Sequence, residues 1–178
     1  MLKQQEKLIP INTKLLNKYE SYNEIFQKEK GNKNISINSN IPELENIDIN
    51  NINVNNLRKL ARIIFHNYHK IDTFINDGNL ITVTNNGINE SIQKLFYNSD
   101  QKTYLLEHLK LYSKLGLIIE KAKLINQVYE KKNRKKYIYW NYYICNVQIN
   151  SKKYKLELEI ASLNNLKNNY RIHRITLK

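Results

Sequence analysis

The sequence predicts an α+β protein in which N-terminal helices pack on a C-terminal antiparallel β-sheet arranged as a meander. Apolar residues recur at three- and four-residue spacing through much of the first 127 residues, which predicts amphipathic helices. From residue 137 onward they alternate with polar residues, which predicts half-buried strands. Helices followed by consecutive strands are typical of α+β folds.

The first 56 residues are predicted to be a helical arm and an Asn-rich linker. Residues 1–30 carry a weak helical pattern of Leu, Ile and aromatic residues. Residues 31–56 are rich in Asn, Ser and isolated Ile and contain Pro42, a composition that predicts little regular structure. We therefore expect one compact domain over residues 57–178, a length that suits a single core.

This domain is expected to begin with a helix that Asn56 caps and that ends near Tyr68. Two short strands, at about 73–75 and 80–84, follow on either side of the tight-turn pair Asp77-Gly78. The remaining predicted elements are a helix near 88–96, a long helical segment over about 102–127 that Gly116 can kink, and strands at 137–149, 154–160 and 170–177.

The composition excludes several classes of protein. Four Gly, two Pro and one Cys exclude a collagen, a low-complexity linker and a disulfide scaffold. No apolar run approaches the roughly 18 to 20 residues that a membrane span needs, and the first residues lack the apolar core of a signal peptide. We therefore expect neither a membrane span nor a signal peptide.

Basic residues are concentrated in the C-terminal part of the chain. Residues 1–100 hold 12 Lys and Arg against 11 Asp and Glu, a net charge of +1, whereas residues 101–178 hold 17 against 5, a net charge of +12. An A/T-rich codon bias explains most of the Asn and Ile, but it would act on both parts alike. The asymmetry favours a surface that faces a polyanion; the alternative is a solvated basic face that serves solubility.

The sequence contains no strong motif for a nucleotide or a metal. P-loop, G-x-G-x-x-G and Cys-x-x-Cys patterns are absent. His66 and His69 are three residues apart, but no Asp or Glu on their helix completes a metal site. The lone Cys145 shares strand parity with Tyr143 and Val147, which favours a buried thiol over a nucleophile. We expect no metal and no cofactor.

A basic run leads directly into an aromatic strand between residues 131 and 143. Lys and Arg contact phosphates and exposed rings stack on unpaired bases, so this combination is typical of RNA binding. The alternative is a charged turn beside a strand whose rings face the core. The candidate nucleic-acid-binding residues are Lys131, Lys132, Arg134, Lys135, Lys136, Tyr139, Tyr142 and Arg174.

The last predicted strand carries residues suited to acid–base chemistry on a phosphate. Arg171 and His173 are two residues apart, so an uninterrupted strand projects both from the same face. Histidine can move a proton near neutral pH, and arginine can stabilise charge that builds on a phosphate. A structural or simply exposed histidine is the alternative.

The stretch from about Leu57 to Lys178 resembles the barnase/EndoU/colicin/RelE-like nuclease superfamily. It is most similar to the nuclease domains associated with large polyvalent proteins of phages and mobile elements. The resemblance rests on a strand and its break at 81–88, Ser91 and Lys94 in the next helix, the segment 147–154, Leu156-Glu157-Leu158, and Tyr170-Arg171-Ile172-His173.

The resemblance implies a metal-independent ribonuclease site on the open face of an antiparallel sheet. Ser91, Lys94 and His173 match the polar positions of the family pattern, and Arg171 is added from strand parity. His173 would then be the general acid or base, Arg171 and Lys94 would stabilise the phosphate, and Ser91 would position the substrate. Asn150-Ser151-Lys152-Lys153 departs from the pattern, because that turn usually carries Gly.

Two further statements follow from the resemblance. His66 and His69 would lie on the preceding helix and could supply a second proton-transfer group. Many members are toxins that act in the cytoplasm, can be delivered within a larger polypeptide and pair with an immunity or antitoxin protein.

Three hypotheses remain open at this point. The chain is an endoribonuclease acting on RNA, with tRNA as one substrate candidate; or it is a non-catalytic module that binds RNA or DNA; or it is an interaction domain for an acidic immunity or antitoxin protein. Convergence of Ser91, Lys94, Arg171 and His173 in one basic cleft would favour the enzyme, and their separation would favour binding.

Overall fold

A computed structural model of the chain describes residues 35–37, 40–98, 104–130, 137–163 and 169–178, with only the backbone described at 163 and 169–174. The chain divides into two units after Lys33, and all described residues belong to the second. Its described elements are, in order, β1 (Ile35–Ile37), a 3-10 turn (Pro42–Leu44), α1 (Val54–Tyr68), β2 (Thr73–Asn76), β3 (Asn79–Thr82), α2 (Asn85–Tyr97), α3 (Leu105–Leu111), a 3-10 turn (Tyr112–Lys114), α4 (Leu115–Lys121), β4 (Lys123–Tyr129), β5 (Tyr137–Ile149), β6 (Lys152–Leu163) and β7 (Asn169–Leu177).

Within the described residues, seven strands form one mixed sheet. Their order is β1-β5-β6-β7-β3-β2, and β4 pairs with β5 further along the edge that β1 occupies. β5, β6 and β7 pair antiparallel in sequence order, so the predicted meander is confirmed. β1 and β3 add to it in parallel, on β5 and β7 respectively, and the α+β class is also confirmed.

The described helices α1 to α4 pack on one face of the sheet, which we call the helix face. A ring contact joins α1 to Phe74 of β2, and Ser91 of α2 and His108 of α3 both bond the backbone of Ile175 in β7. The side chain of Asn76 in β2 reaches the carbonyls at the end of α4. The strands bury on this face, among others, Phe74, Ile81, Tyr143, Val147, Leu156, Leu158, Ile160, Ile175 and Leu177.

Two predicted helix boundaries are wrong. The helical segment expected over 102–127 ends at Lys121, and the residues from Lys123 to Tyr129 form strand β4 instead. The first helix begins at Val54 because the side chain of Asn53 accepts the N–H of Asn56, so Asn53 is the N-cap.

The compact domain begins well before the expected residue 57. In the segment predicted to be a linker, Ile35 and Ile37 of β1 are 2% and 0% exposed, and Ile41 is 1% exposed. β1 pairs in parallel with Val147–Ile149 of β5. These isolated isoleucines are core residues of the sheet edge, which composition alone does not reveal.

The β5–β6 hairpin carries backbone strain that glycine would remove. Asn150 and Ser151 form its two-residue turn with φ of 48° and 71°, a left-handed conformation that costs a non-glycine residue about 1–2 kcal/mol. We expect Ser151→Gly to stabilise the protein by about 0.5–1 kcal/mol, after the entropic cost of glycine. The measurement is the free energy of unfolding in urea.

The β2–β3 hairpin supplies the matched control for that variant. Its two-residue turn, Asp77-Gly78, also has positive φ at both positions, and the second, at φ 79°, is glycine. A Cβ added at Gly78 would meet no atom within 4 Å. Gly78→Ser should therefore destabilise the protein through the backbone alone. Equal stability of Ser151→Gly and the unmodified chain would contradict the prediction.

Candidate nucleic-acid interface

The face of the sheet opposite the helix face, here called the open face, carries no helix of the described part of the chain. Alternation along β5 places Trp140, Tyr142, Ile144 and Asn146 on it, because their neighbours Asn141, Tyr143, Cys145 and Val147 are buried on the helix face. The same alternation along β6 places there Lys153, Lys155, Glu157 and Glu159.

The described side chains of the open face carry more positive than negative charge. The cations are Lys123, Lys153, Lys155 and Lys178, and the carboxylates are Glu130, Glu157 and Glu159. Glu157 Oε2 accepts a hydrogen bond from Lys178 Nζ at 2.7 Å, so its charge is already paired. On the described part of this face the four lysines therefore outnumber the three carboxylates by one.

Strand β7 adds two arginine positions to this face. Arg171 lies opposite Ala161 of β6 and Thr82 of β3, and Arg174 lies opposite Glu159. Their side chains lie outside the described part of the structure. The backbone register thus places the two arginine positions beside Ala161 and Glu159 of β6, further from the β5–β6 turn than Lys153 and Lys155.

His173 occupies an irregularity in the pairing of β6 with β7. Ile172 lies opposite Ile160 and Arg174 opposite the adjacent Glu159, so one extra residue of β7, His173, stands between two consecutive partners. The prediction that Arg171 and His173 share a face assumed an uninterrupted strand and loses its basis here, because a bulge shifts the alternation. The side chain of His173 is outside the described residues, and its role stays a prediction.

Ser91 has structural partners rather than a position on the open face. Its side chain is 1% exposed, its Oγ donates to the Gly87 carbonyl at 2.9 Å, and it accepts the Ile175 N–H at 3.1 Å. The hydroxyl therefore lies between α2 and the helix face of the sheet, and it joins the helix to β7. A substrate cannot reach it in this arrangement, and we do not carry Ser91 into the proposed site.

Of the four predicted catalytic residues, Ser91 and Lys94 have described side chains, and both belong to the helical layer. Lys94 is exposed on α2, in the helical layer, and Ser91 is buried beneath the same helix. Arg171 has a register position on the open face, on the other side of the sheet.

The predicted basic run, from Lys131 to Lys136 with Arg134 within it, lies outside the described residues. Two hydrogen bonds join the residues that precede and follow this run. The Glu130 N–H donates to the Ile138 carbonyl at 2.9 Å, and Trp140 Nε1 donates to Glu130 Oε2 at 2.5 Å. Glu130 is only 8% exposed. The residues that flank the run in sequence are thus the paired ends of two strands and not the end of a helix.

Aromatic side chains occur on both faces of this hairpin. Tyr139 is 36% exposed and its ring lies 5.6 Å from that of Tyr129, which is 64% exposed. Tyr142 is half-buried on the open face beside Trp140. Sequence analysis missed Tyr129, although the β-branched and aromatic pair Val128-Tyr129 directly before the basic run is a strand signal.

The other titratable groups do not form a reactive site in the described residues. His66 Nε2 lies 3.3 Å from Asn85 Oδ1, whereas His69 is 4% exposed and bonds the Tyr112 carbonyl, so the pair does not face a common ligand. Burial raises the pKa of the Cys145 thiol to about 11. Among the described side chains, no group of three or more His, Cys, Asp or Glu is arranged for a metal.

The fold and the open face define a small, basic α+β domain with a candidate polyanion-binding sheet. The chain belongs to the family described as large polyvalent protein-associated domain 3, which matches residues 52–172. That description agrees with the polyvalent-protein part of the predicted resemblance and fits a domain of a larger polypeptide, but it names no activity. No curated protein and no solved structure matches the chain. Among the described helices, none combines the length and apolar character needed to cross a membrane.

Proposed function

We propose that the open face of the sheet binds single-stranded RNA. The observation that carries this proposal is that one face without a described helix holds the rings of Trp140 and Tyr142 on β5 and, nearer the turn of the same hairpin, exposed lysines on β6. Lysine and arginine attract the phosphates, and a flat sheet surface lets unpaired bases lie against aromatic rings.

The geometry favours a single strand over a duplex. Rings gain from contact with base faces only where the bases are unstacked, and a duplex hides those faces. The basic run from Lys131 to Lys136 adjoins one end of β5, and the lysines Lys153 and Lys155 adjoin the other end. A strand lying along β5 would therefore meet the rings of Trp140 and Tyr142 near one end and Lys153 and Lys155 near the other.

Charge neutralisation on the open face provides the test. We expect Lys123→Gln combined with Arg174→Gln to weaken binding of a single-stranded RNA at least tenfold. The slope of log K against log salt concentration should become shallower by about 1.4, because each phosphate contact contributes about 0.7 to that slope. The measurement is fluorescence anisotropy at several salt concentrations. Double-stranded RNA of the same sequence should bind more weakly.

A control variant with the same change in net charge distinguishes an effect of the open face from an effect of the total charge. Lys59 and Lys70 are exposed on α1 and just after it, away from the open face. Lys59→Gln combined with Lys70→Gln should leave most of the affinity and slope in place. Equal losses in the two double variants would overturn the proposed binding face.

A metal-independent endoribonuclease is the second candidate function. The irregularity of β7 at His173, between Arg171 and Arg174, favours it, because bulges are over-represented beside active sites. In such a reaction the 2′-oxygen attacks phosphorus, the 5′-oxygen leaves, and one side chain or two transfer the protons. A toxin role with an acidic immunity or antitoxin partner, and tRNA as substrate, belong to this second candidate.

Incubation with RNA in EDTA distinguishes cleavage from binding. If the chain is a ribonuclease, total RNA or tRNA is degraded by the wild-type protein and stays intact with His173→Ala. Intact RNA with both proteins, together with salt-sensitive binding, would leave the binding function alone. Degradation by both proteins at equal rates would remove His173 from the mechanism.

A further inference from the structure

A cavity of about 420 Å³ lies at the turn end of the β5–β6 hairpin. The described residues that line it are Asn146 and Val147 of β5 and Lys153, Tyr154 and Lys155 of β6. Asn146 pairs with Lys155, and Val147 with Tyr154, so these residues are neighbours across two adjacent strands. The cavity is thus built where the β5–β6 hairpin approaches its turn.

Alternation shows that this cavity belongs to the open face. Asn146, Lys153 and Lys155 are exposed on that face, whereas Val147 is 1% exposed on the helix face. The Tyr154 ring contacts that of Tyr104 at a centroid distance of 5.9 Å, on the helix side. Val147 and Tyr154 therefore contribute main chain to the floor of the cavity, and the two lysines and the asparagine form its polar walls.

The groups around the cavity favour an anion. No carboxylate lines it among the described residues. The next acidic residue on the same face of β6, Glu157, is paired with Lys178. The backbones of Lys155 and Lys178 bond each other through both N–H groups, at 2.9 and 2.8 Å, which fixes the strand that carries Lys155.

We propose that this cavity is a subsite for the terminal phosphate of an RNA strand, an inference that rests on the proposed RNA-binding function. A terminal phosphomonoester carries a charge of about −1.5 to −2 at neutral pH, which two ammonium groups match, whereas an internal phosphodiester carries only −1. The cavity lies at one end of β5, where a strand that follows β5 would end. An asparagine amide beside the lysines adds a neutral donor for a phosphate oxygen.

Oligonucleotides that differ only at their ends test the subsite. Three single-stranded RNAs of one sequence are compared by anisotropy, with a 5′-phosphate, a 3′-phosphate or hydroxyls at both ends. We expect one phosphorylated form to bind about tenfold more tightly than the hydroxyl form, as one additional charge-assisted contact provides. Lys153→Gln combined with Lys155→Gln should abolish this preference and leave residual binding of the hydroxyl form.

Lys152 provides the matched control. It is exposed on the same strand and next to Lys153, but alternation directs it away from the open face. Lys152→Gln should keep the preference for the phosphorylated end. Equal affinities of the unmodified protein for all three RNAs would overturn the subsite while the proposed RNA binding stands.

Titration with small ligands tests phosphate binding in the cavity independently of RNA binding. Adenosine monophosphate, adenosine and inorganic phosphate are titrated while the side-chain amide of Asn146 is observed by NMR. If no RNA binds but adenosine monophosphate or phosphate shifts this amide in a manner that depends on Lys153, the phosphate subsite stands and the RNA function fails. If neither RNA nor any phosphate compound binds, both fail.

Discussion

Lowering the pH from 7.5 to 5 is expected to reduce the free energy of unfolding by about 4 kcal/mol through two buried histidines. His69 and His108 are 4% and 0% exposed, and burial lowers the pKa of each to about 4. Each Nε2 donates to a backbone carbonyl, His69 to Tyr112 and His108 to Ile175, both at 3.0 Å. The neutral ring is therefore the form that the folded protein requires.

The direction of the effect follows from proton binding. The unfolded chain protonates its histidines near pH 6.5, whereas these two stay neutral in the folded protein until about pH 4. The unfolded state binds more protons in that window, so their stabilisation is complete above pH 6.5 and is lost as the pH falls toward 4. At pH 5 each histidine accounts for about 2 kcal/mol, a large part of a typical stability of 5–15 kcal/mol.

Urea unfolding at several pH values checks this prediction. The double variant His69→Gln and His108→Gln keeps an N–H donor at each position but does not titrate. Its stability at pH 7.5 is expected to be lower than that of the wild type, and its decline between pH 6.5 and 4.5 much shallower. Parallel stability curves for the two proteins would show that these histidines do not control the acid response.

Elements whose local sequence pattern agreed with their packing could be predicted closely. The β5 strand was expected at 137–149 and occupies Tyr137–Ile149, because its alternation is the direct result of one buried face. The Asp77-Gly78 turn was recognised from two residues that accept positive φ. β1 could not be predicted, because three residues gain their structure only by pairing with β5, more than 100 positions away.

The candidate site was predictable in character but not in composition. Charge asymmetry predicted a cationic surface in the C-terminal part, and Lys153 and Lys155 of that part lie on the open face. Position within a motif could not show that Ser91 is buried, since its partner, the Ile175 N–H, is 84 residues away. Strand parity could not reveal the irregularity at His173, because a shift of register is a property of two paired strands and not of one.

The end of α4 depends on a single buried side chain from β2. Asn76 is 3% exposed, and its Nδ2 donates to the carbonyls of Ile119 at 2.6 Å and Ala122 at 2.7 Å. Carbonyls at the end of a helix have no intrahelical partner and need an external donor when they are buried. Asn76 supplies it, so the chain leaves the helix after Lys121 and continues as β4, where periodicity alone predicted more helix.

Asn76→Asp is therefore expected to destabilise the protein by about 3 kcal/mol or more. The side chain keeps its shape but loses both N–H donors, and a carboxylate oxygen then faces two carbonyl oxygens in a buried site. Asn79→Asp, in the same hairpin but only half-buried, is the matched control and should change the free energy of unfolding by less than about 0.5 kcal/mol. Similar stabilities of the two variants in urea would mean that another group terminates α4.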